Sequence, residues 1–247
     1  MKKIFSFSLI ALAISMSYLL PPQLAAQKIV SSGKISYKIA DINVHNEDGL
    51  SDMQAEMMKN MKWTMYFTPK KVRVDIGGMM GGLISTSMIY GQDDSTIVIL
   101  MSMMGQKMKM TMPVEKAQEQ GMMSQSLNPD EYEIIPHPDK TKQILGYHTY
   151  LVELIKKDTQ GNDEMKSYIY VTRDIAPSTA FHPEFRKLQL KGFPLEYRIF
   201  SPGQGVVTFI AEELSTEPVE EEVFAIPDDY VEIDPDDFLQ SMPNQQR

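Results

Sequence analysis

Cysteine is absent from this 247-residue chain, and tryptophan occurs once. Without cysteine there is no disulfide scaffold, no thiolate-bound zinc or iron–sulfur cluster, and no N-terminal cysteine to carry a lipid. Basic residues are scarce near the end: Ile199 to Arg247 holds 12 acids and Arg247 as its one base, whereas Gln27 to Arg198 holds 21 of each sign. Nothing gathers lysine and arginine into a stripe, which argues against a nucleic-acid partner. Catalytic signatures are missing too. There is no Gly-x-Ser-x-Gly elbow, phosphate loop, His-Glu-x-x-His pair or Gly-rich dinucleotide turn, and Gly77-Gly78-Met79-Met80-Gly81-Gly82 reads as a loop between strands. His45, His137, His148 and His182 lie far apart in sequence, so no pair has metal-ligand spacing and each is expected in solvent. The expectation is a protein that is not an enzyme and needs no cofactor.

What is present starts with an address. Lys2 and Lys3, the apolar stretch Ile4 to Leu20 and the exit Pro21-Pro22-Gln23-Leu24-Ala25-Ala26 have the layout of a secretory signal peptide, with cleavage expected after Ala26. Export to the periplasm or the medium would follow, with no membrane anchor left, as a monomer stabilised by its core. One domain is expected over 27–232 and an acidic, disordered tail over 233–247. Pro218, Pro227 and Pro235 punctuate the acidic stretch before and into that tail, which reads as solvated surface, with a docking segment for a basic partner as the competing reading.

Alternation with period two dominates the rest and predicts a β meander. The strand segments are Gly33–Asn43, Met61–Thr68, Lys71–Ile76, Leu83–Tyr90, Ser95–Met104, Lys107–Met112, Ile144–Ile155, Met165–Thr172, Leu188–Phe200 and Val206–Glu213. Three hairpins can be registered. A four-residue loop at Thr68–Lys71 sets Phe67 against Val72, Met65 against Val74 and Trp63 against Ile76. A four-residue loop at Gly91–Asp94 sets Met88 against Ile97, and a type II′ turn with Gly105 first sets Met103 against Met108 and Met101 against Met110. Each register collects apolar residues on one face. Short helices are predicted over 51–59 and 113–120, with Met53, Met57, Met58, Met122 and Met123 turned toward the sheet.

Methionine is the compositional anomaly: of 20 in the chain, 16 fall between Met53 and Met123. Flexible thioethers adapt to varied apolar guests, so a face made of Trp63, Met65, Phe67, Met88, Met101, Met103, Met108 and Met110 is a candidate cavity for a lipid, an acyl chain or another hydrophobic ligand. The same face could be a soft core under the two helices. Clustered thioethers also select Cu(I), which makes an envelope copper-binding protein a third reading.

Met65-Tyr66-Phe67-Thr68-Pro69-Lys70-Lys71-Val72-Arg73-Val74-Asp75, Ile144-Leu145-Gly146-Tyr147-His148-Thr149-Tyr150, Tyr168-Ile169-Tyr170-Val171-Thr172-Arg173-Asp174-Ile175 and Gly192-Phe193-Pro194-Leu195-Glu196 resemble the strand signatures of a family of secreted bacterial proteins, domain of unknown function 4412. Val223-Phe224-Ala225-Ile226-Pro227-Asp228-Asp229-Tyr230 resembles the ending of such proteins. That family is thought similar to lipoprotein carriers of the LolA and LolB type. The resemblance implies a mainly β, open antiparallel half-barrel with short helices over its concave face and a hydrophobic cavity between. It further implies a lipid or lipoprotein acyl chain as ligand and an envelope protein as a second candidate partner. It carries over no binding residue.

Overall fold

The computed structural model describes residues 29–43, 52–91, 95–120, 122–123, 127–157, 167–176, 185–188, 190–201 and 205–241. The expected signal peptide, His45 and His182 lie outside them. Two antiparallel meanders build one sheet. The first comprises β1 (Gly33–Asn43), β2 (Lys62–Phe67), β3 (Lys71–Met79), β4 (Ile84–Gly91), β5 (Thr96–Met103) and β6 (Gln106–Pro113); the second comprises β7 (Tyr132–Ile144), β8 (Tyr147–Lys156), β9 (Ser167–Thr172), β10 (Phe193–Ser201) and β11 (Gly205–Ser215). They join because β1 pairs with β11, so the order across the sheet is β6-β5-β4-β3-β2-β1-β11-β10-β9-β8-β7. A two-residue strand, β12 (Val231–Glu232), adds in parallel to β6 at one edge. The fold is thus a mainly β, open half-barrel, antiparallel except at that edge.

The strands alternate because their sequences do: β6, Gln106 to Pro113, buries Met108, Met110 and Met112 and exposes Lys107 and Thr111. The Thr68 turn has the register expected, Phe67 opposite Val72 and Trp63 opposite Ile76, and Thr68 Oγ1 fixes it by accepting from the Lys70 and Lys71 amides. The other two hairpins differ from expectation by two residues. Met88 opposes Ile99 rather than Ile97, and Met101 opposes Met108, with Met103 facing Gln106. The physical reason in the second case is the turn. Met104 and Gly105 both have positive φ, 53° and 86°, which is a type I′ pair with glycine second, not type II′ with glycine first. A shift of two keeps every side chain on its predicted face.

One strand was hidden from the sequence reading. β7 contains Pro136 and Pro138, which lack the amide a central strand needs, yet β7 pairs only with β8 and turns its other side to solvent. The expected strand Ile144–Ile155 is accordingly a hairpin turn at Leu145–Gly146 followed by β8.

Curvature is visible in side chains that meet over intervening strands. β2 and β10 are three strand spacings apart, ~14 Å along a flat sheet, yet the Phe67 and Phe193 ring centroids lie 5.5 Å apart. The path between them runs over Gly33, which is paired with Phe67. A Cβ there would lie 2.4 Å from the Ser215 carbonyl oxygen and 3.1 Å from the Phe67 ring, so glycine is required. Tyr37 of β1 likewise donates to the Pro194 carbonyl of β10, at 2.7 Å. Register shifts in the β1–β11 and β9–β10 pairings supply local bends.

Helix α2 (Val114–Glu119) lies against β5 and β6 and buries Val114 and Ala117 in the core that also holds Met108, Met110, Met112 and Met123. Helix α1 (Asp52–Lys59) lies beside β1, but its Met57 is exposed rather than turned inward. The acidic segment is built into the fold. After β11 it crosses the outer face of the first meander, where Phe224 packs on Ile89 and Leu100, then forms β12 and ends in α3 (Pro235–Ser241), whose Phe238 enters the main core. The stretch expected as a disordered tail therefore contributes a helix through 241. Its acids answer bases of the sheet and of α2: Glu221 with Lys71, Asp229 with Lys107 and Glu232 with Lys109 on strands, and Asp236 with Lys116 on α2, while Arg73 donates to the Val223 carbonyl.

Candidate functional site: a methionine face that opens toward one end

Cross-strand pairing arranges the inner face of the first meander in rows. The deepest row with a full set of partners is Ile35, Met65, Val74, Met88, Ile99 and Met110; the next is Tyr37, Trp63, Ile76, Thr86, Met101 and Met108; the last is Ile84, Met103 and Gln106. Phe67 precedes them, opposite Gly33 and Val72. All eight residues singled out from the sequence therefore lie on one face.

They do not share one environment. Phe67, Met65, Met88 and Met110 are buried, with Met110 at 0% exposure. Met108 is buried at the edge of the following row, while Trp63 and Met101 in the same row are half-buried. Met103 is 36% exposed, and beyond it Leu83 and Met104, joined by a 3.1 Å backbone hydrogen bond, are exposed at 54% and 75%. Exposure rises row by row toward the end of the sheet where β4 starts and β5 turns into β6. The thioethers are less paired than expected: Met101 opposes Met108, but Met103 opposes glutamine and Met110 opposes isoleucine.

The sequence reading missed the aromatic wall. Trp63 meets Phe209 edge to face at 5.4 Å, Phe209 stacks on Tyr197 at 4.8 Å, and Tyr197 meets Phe185 at 5.2 Å. Alternation could place Phe209 on a face of β11. That β11 lies beside β1, and so near Trp63, has no local signal. Trp63 Nε1 is buried and has no hydrogen-bond partner; among the described residues Gln120 Oε1 shares that condition.

The polar chemistry sits elsewhere. On the outer face of the second meander Lys142 Nζ donates to the buried Glu196 carboxylate at 2.6 Å and lies 3.9 Å from the centre of the Tyr170 ring. Tyr168 donates to the same carboxylate at 3.4 Å. Burial, and then the Glu196 charge, pushes the phenols of Tyr168 and Tyr170 above their ordinary value. His137, expected in solvent, bonds Glu153 at 2.5 Å and is half-buried. Among the described residues no three His, Cys, Asp or Glu side chains converge to hold a metal ion. No helix in the described part is long and apolar enough to cross a membrane. A cleft of about 520 Å³ opens between Val114, Glu115 and Gln118 of α2, the Asn128–Pro129 stretch, Arg186 and Lys187, and none of the eight face residues lines it.

No protein-family model matches the chain, so membership in the domain family named above is not shown, and no curated protein matches it either. Among solved structures, the chain is similar to one in the complex of MucA and MucB from Pseudomonas aeruginosa, at 9% identity and a TM-score of 0.41, over 80% of this chain and 56% of that one. The chain thus spans little more than half the length of that protein. It is also similar to a LolA superfamily protein from Nitrosomonas europaea, at 11% identity and a TM-score of 0.31, over 81% of this chain and 91% of that one. A third likeness is to a DUF1329 family protein from Desulfovibrio piger, at 11% identity and a TM-score of 0.20, over 78% and 88% of the two chains. These likenesses concern the arrangement of strands, and none bears on ligand or partner.

Proposed function

We propose that the protein is a non-enzymatic, exported binding or carrier protein that holds an acyl chain, of a lipid or a lipoprotein, against the methionine face of β2 to β6. The observation that supports this reading is the gradient of exposure. A face meant only as core would be sealed along its length, whereas this one passes from fully buried Met110 through half-buried Met101 to Met103, 36% exposed. Unbranched thioethers adjust to a guest by rotation about several bonds, and their polarizable sulfur suits loosely fitting hydrocarbon. An acyl chain entering past Met103 would lie along the Trp63 to Met108 row without unpacking the deeper one.

Native mass spectrometry of protein purified from its own cell envelope tests this directly, together with titration of Trp63 fluorescence by acyl-chain probes. Co-purified lipid and a probe-dependent emission shift are expected. Met103→Asp, which places a charge at the opening, should abolish the shift and leave the melting temperature within a few degrees of wild type. Apo protein and an unresponsive Trp63 would end the proposal.

A further inference from the structure

We infer that the indole N–H of Trp63 is the polar anchor of this site and that its ligand carries a carbonyl oxygen to receive it, as a fatty acid or an acyl ester does. The inference rests on the acyl-chain reading above and narrows its ligand class.

Trp63 is the only tryptophan, and its Nε1 is buried without an acceptor among the described residues. Buried polar groups in folded proteins are almost always partnered, and an orphaned donor is destabilising. The surroundings offer little relief. Its neighbours in register are Tyr37 and Ile76, and the Tyr37 hydroxyl is directed to the Pro194 carbonyl, to which it donates, and takes no bond from the indole. Phe209 meets the indole edge to face, and an aromatic face accepts a hydrogen bond only weakly. A phenylalanine at position 63 would keep an aromatic ring beside Phe209 and leave no unsatisfied atom. The donor therefore costs stability that packing does not require.

Its position suits a ligand. Trp63 stands in the half-buried row, between the sealed row of Met65 and Met110 and the exposed end at Met103 and Met104. In the same row, two strands away, Thr86 places a hydroxyl between Ile76 and Met101. An apolar site gains specificity from a small number of such groups. A carbonyl held by Trp63 Nε1 sets the head of the ligand, while its hydrocarbon follows Met101 and Met108.

The test uses the full exported protein, a fluorescent hydrocarbon, diphenylhexatriene, and three competitors that displace it: palmitic acid, methyl palmitate and hexadecane. Wild type should bind the oxygen-bearing competitors more tightly than hexadecane. In Trp63→Phe those two should weaken by roughly tenfold more than hexadecane does, the equivalent of one hydrogen bond. A larger loss for palmitic acid would identify a carboxylate, and a larger loss for the ester an acyl ester; either result supports the anchor. Equal loss of all three, or loss of none, overturns the anchor while leaving the acyl site in place. Failure of wild type to bind diphenylhexatriene or any competitor overturns both. Should Trp63→Phe fold poorly, the single indole resonance of wild type decides: its proton should move downfield with methyl palmitate and stay in place with hexadecane, and an identical response to both refutes the anchor.

Discussion

The two meanders belong to one sheet yet are finished in opposite ways. In the first, the inner face carries Met65, Met88, Met101, Met103, Met108 and Met110 among aliphatic and aromatic side chains, and the chain's own acidic segment packs on the outer face through Phe224 on Ile89 and Leu100. In the second, the inner face is Val152, Leu154, Ile169, Val171, Phe193 and Leu195, all closely buried, and the outer face carries the Lys142, Glu196, Tyr168 and Tyr170 group. Branched aliphatic and aromatic side chains have few rotamers and specify one packing; methionine has many and tolerates several. The difference separates a rigid frame from an adaptable surface within a single core, and the adaptable surface is the part that opens to solvent.

The sharpest way to break this comparison is in the cores themselves. Phe193→Ala removes a buried ring that meets Phe67 over Gly33 and should cost about 3–5 kcal/mol in urea unfolding. Met110→Leu, equally buried, keeps volume in a soft environment and should cost less than about 1.5 kcal/mol. Comparable losses would show that the methionine face is packed as tightly as the frame. Next in size is Phe224→Ala, expected to cost about 3 kcal/mol at most because its cluster is small. Hydrogen exchange should then rise first over 219–232 and along β6, with β8 to β10 keeping their protection; uniform loss would mean that the acidic segment stabilises both halves.

The smallest effect concerns pH. Tyr132, Tyr168 and Tyr170, all in the second meander, are raised above 10.0, chiefly by burial, so folded phenol holds its proton more firmly than unfolded phenol. The sign follows: this contribution is complete below pH 10 and is lost as pH climbs from the unfolded value through the raised folded value. Urea midpoints should therefore fall above pH 10, and Tyr168→Phe should make that fall shallower. An unchanged slope would remove Tyr168 from the account.

Several of these features are legible in the sequence. The Thr68–Lys71 loop could be registered because one turn chemistry dominates there, and the Met104–Gly105 hairpin kept its face although its partners moved by two. β7 was not legible, because prolines argue against a strand unless its edge position is known. The acidic segment was misread for a related reason: its apolar anchors, Phe224 and Phe238, are single residues among carboxylates, with no periodicity to mark them.

By itself the sequence determined which side chains share a face, since a period of two is a property of the local backbone and survives errors of register. It also determined that the methionines fall together in one half. Tertiary structure alone decided how deep each row of that face lies. That depth depends on β1 meeting β11, on Gly33 letting Phe67 reach Phe193, and on the last strand and helix closing over β6. These contacts join residues far apart in the chain, so no window of sequence contains both partners, and the boundary between sealed core and exposed edge is set by closure rather than by pattern.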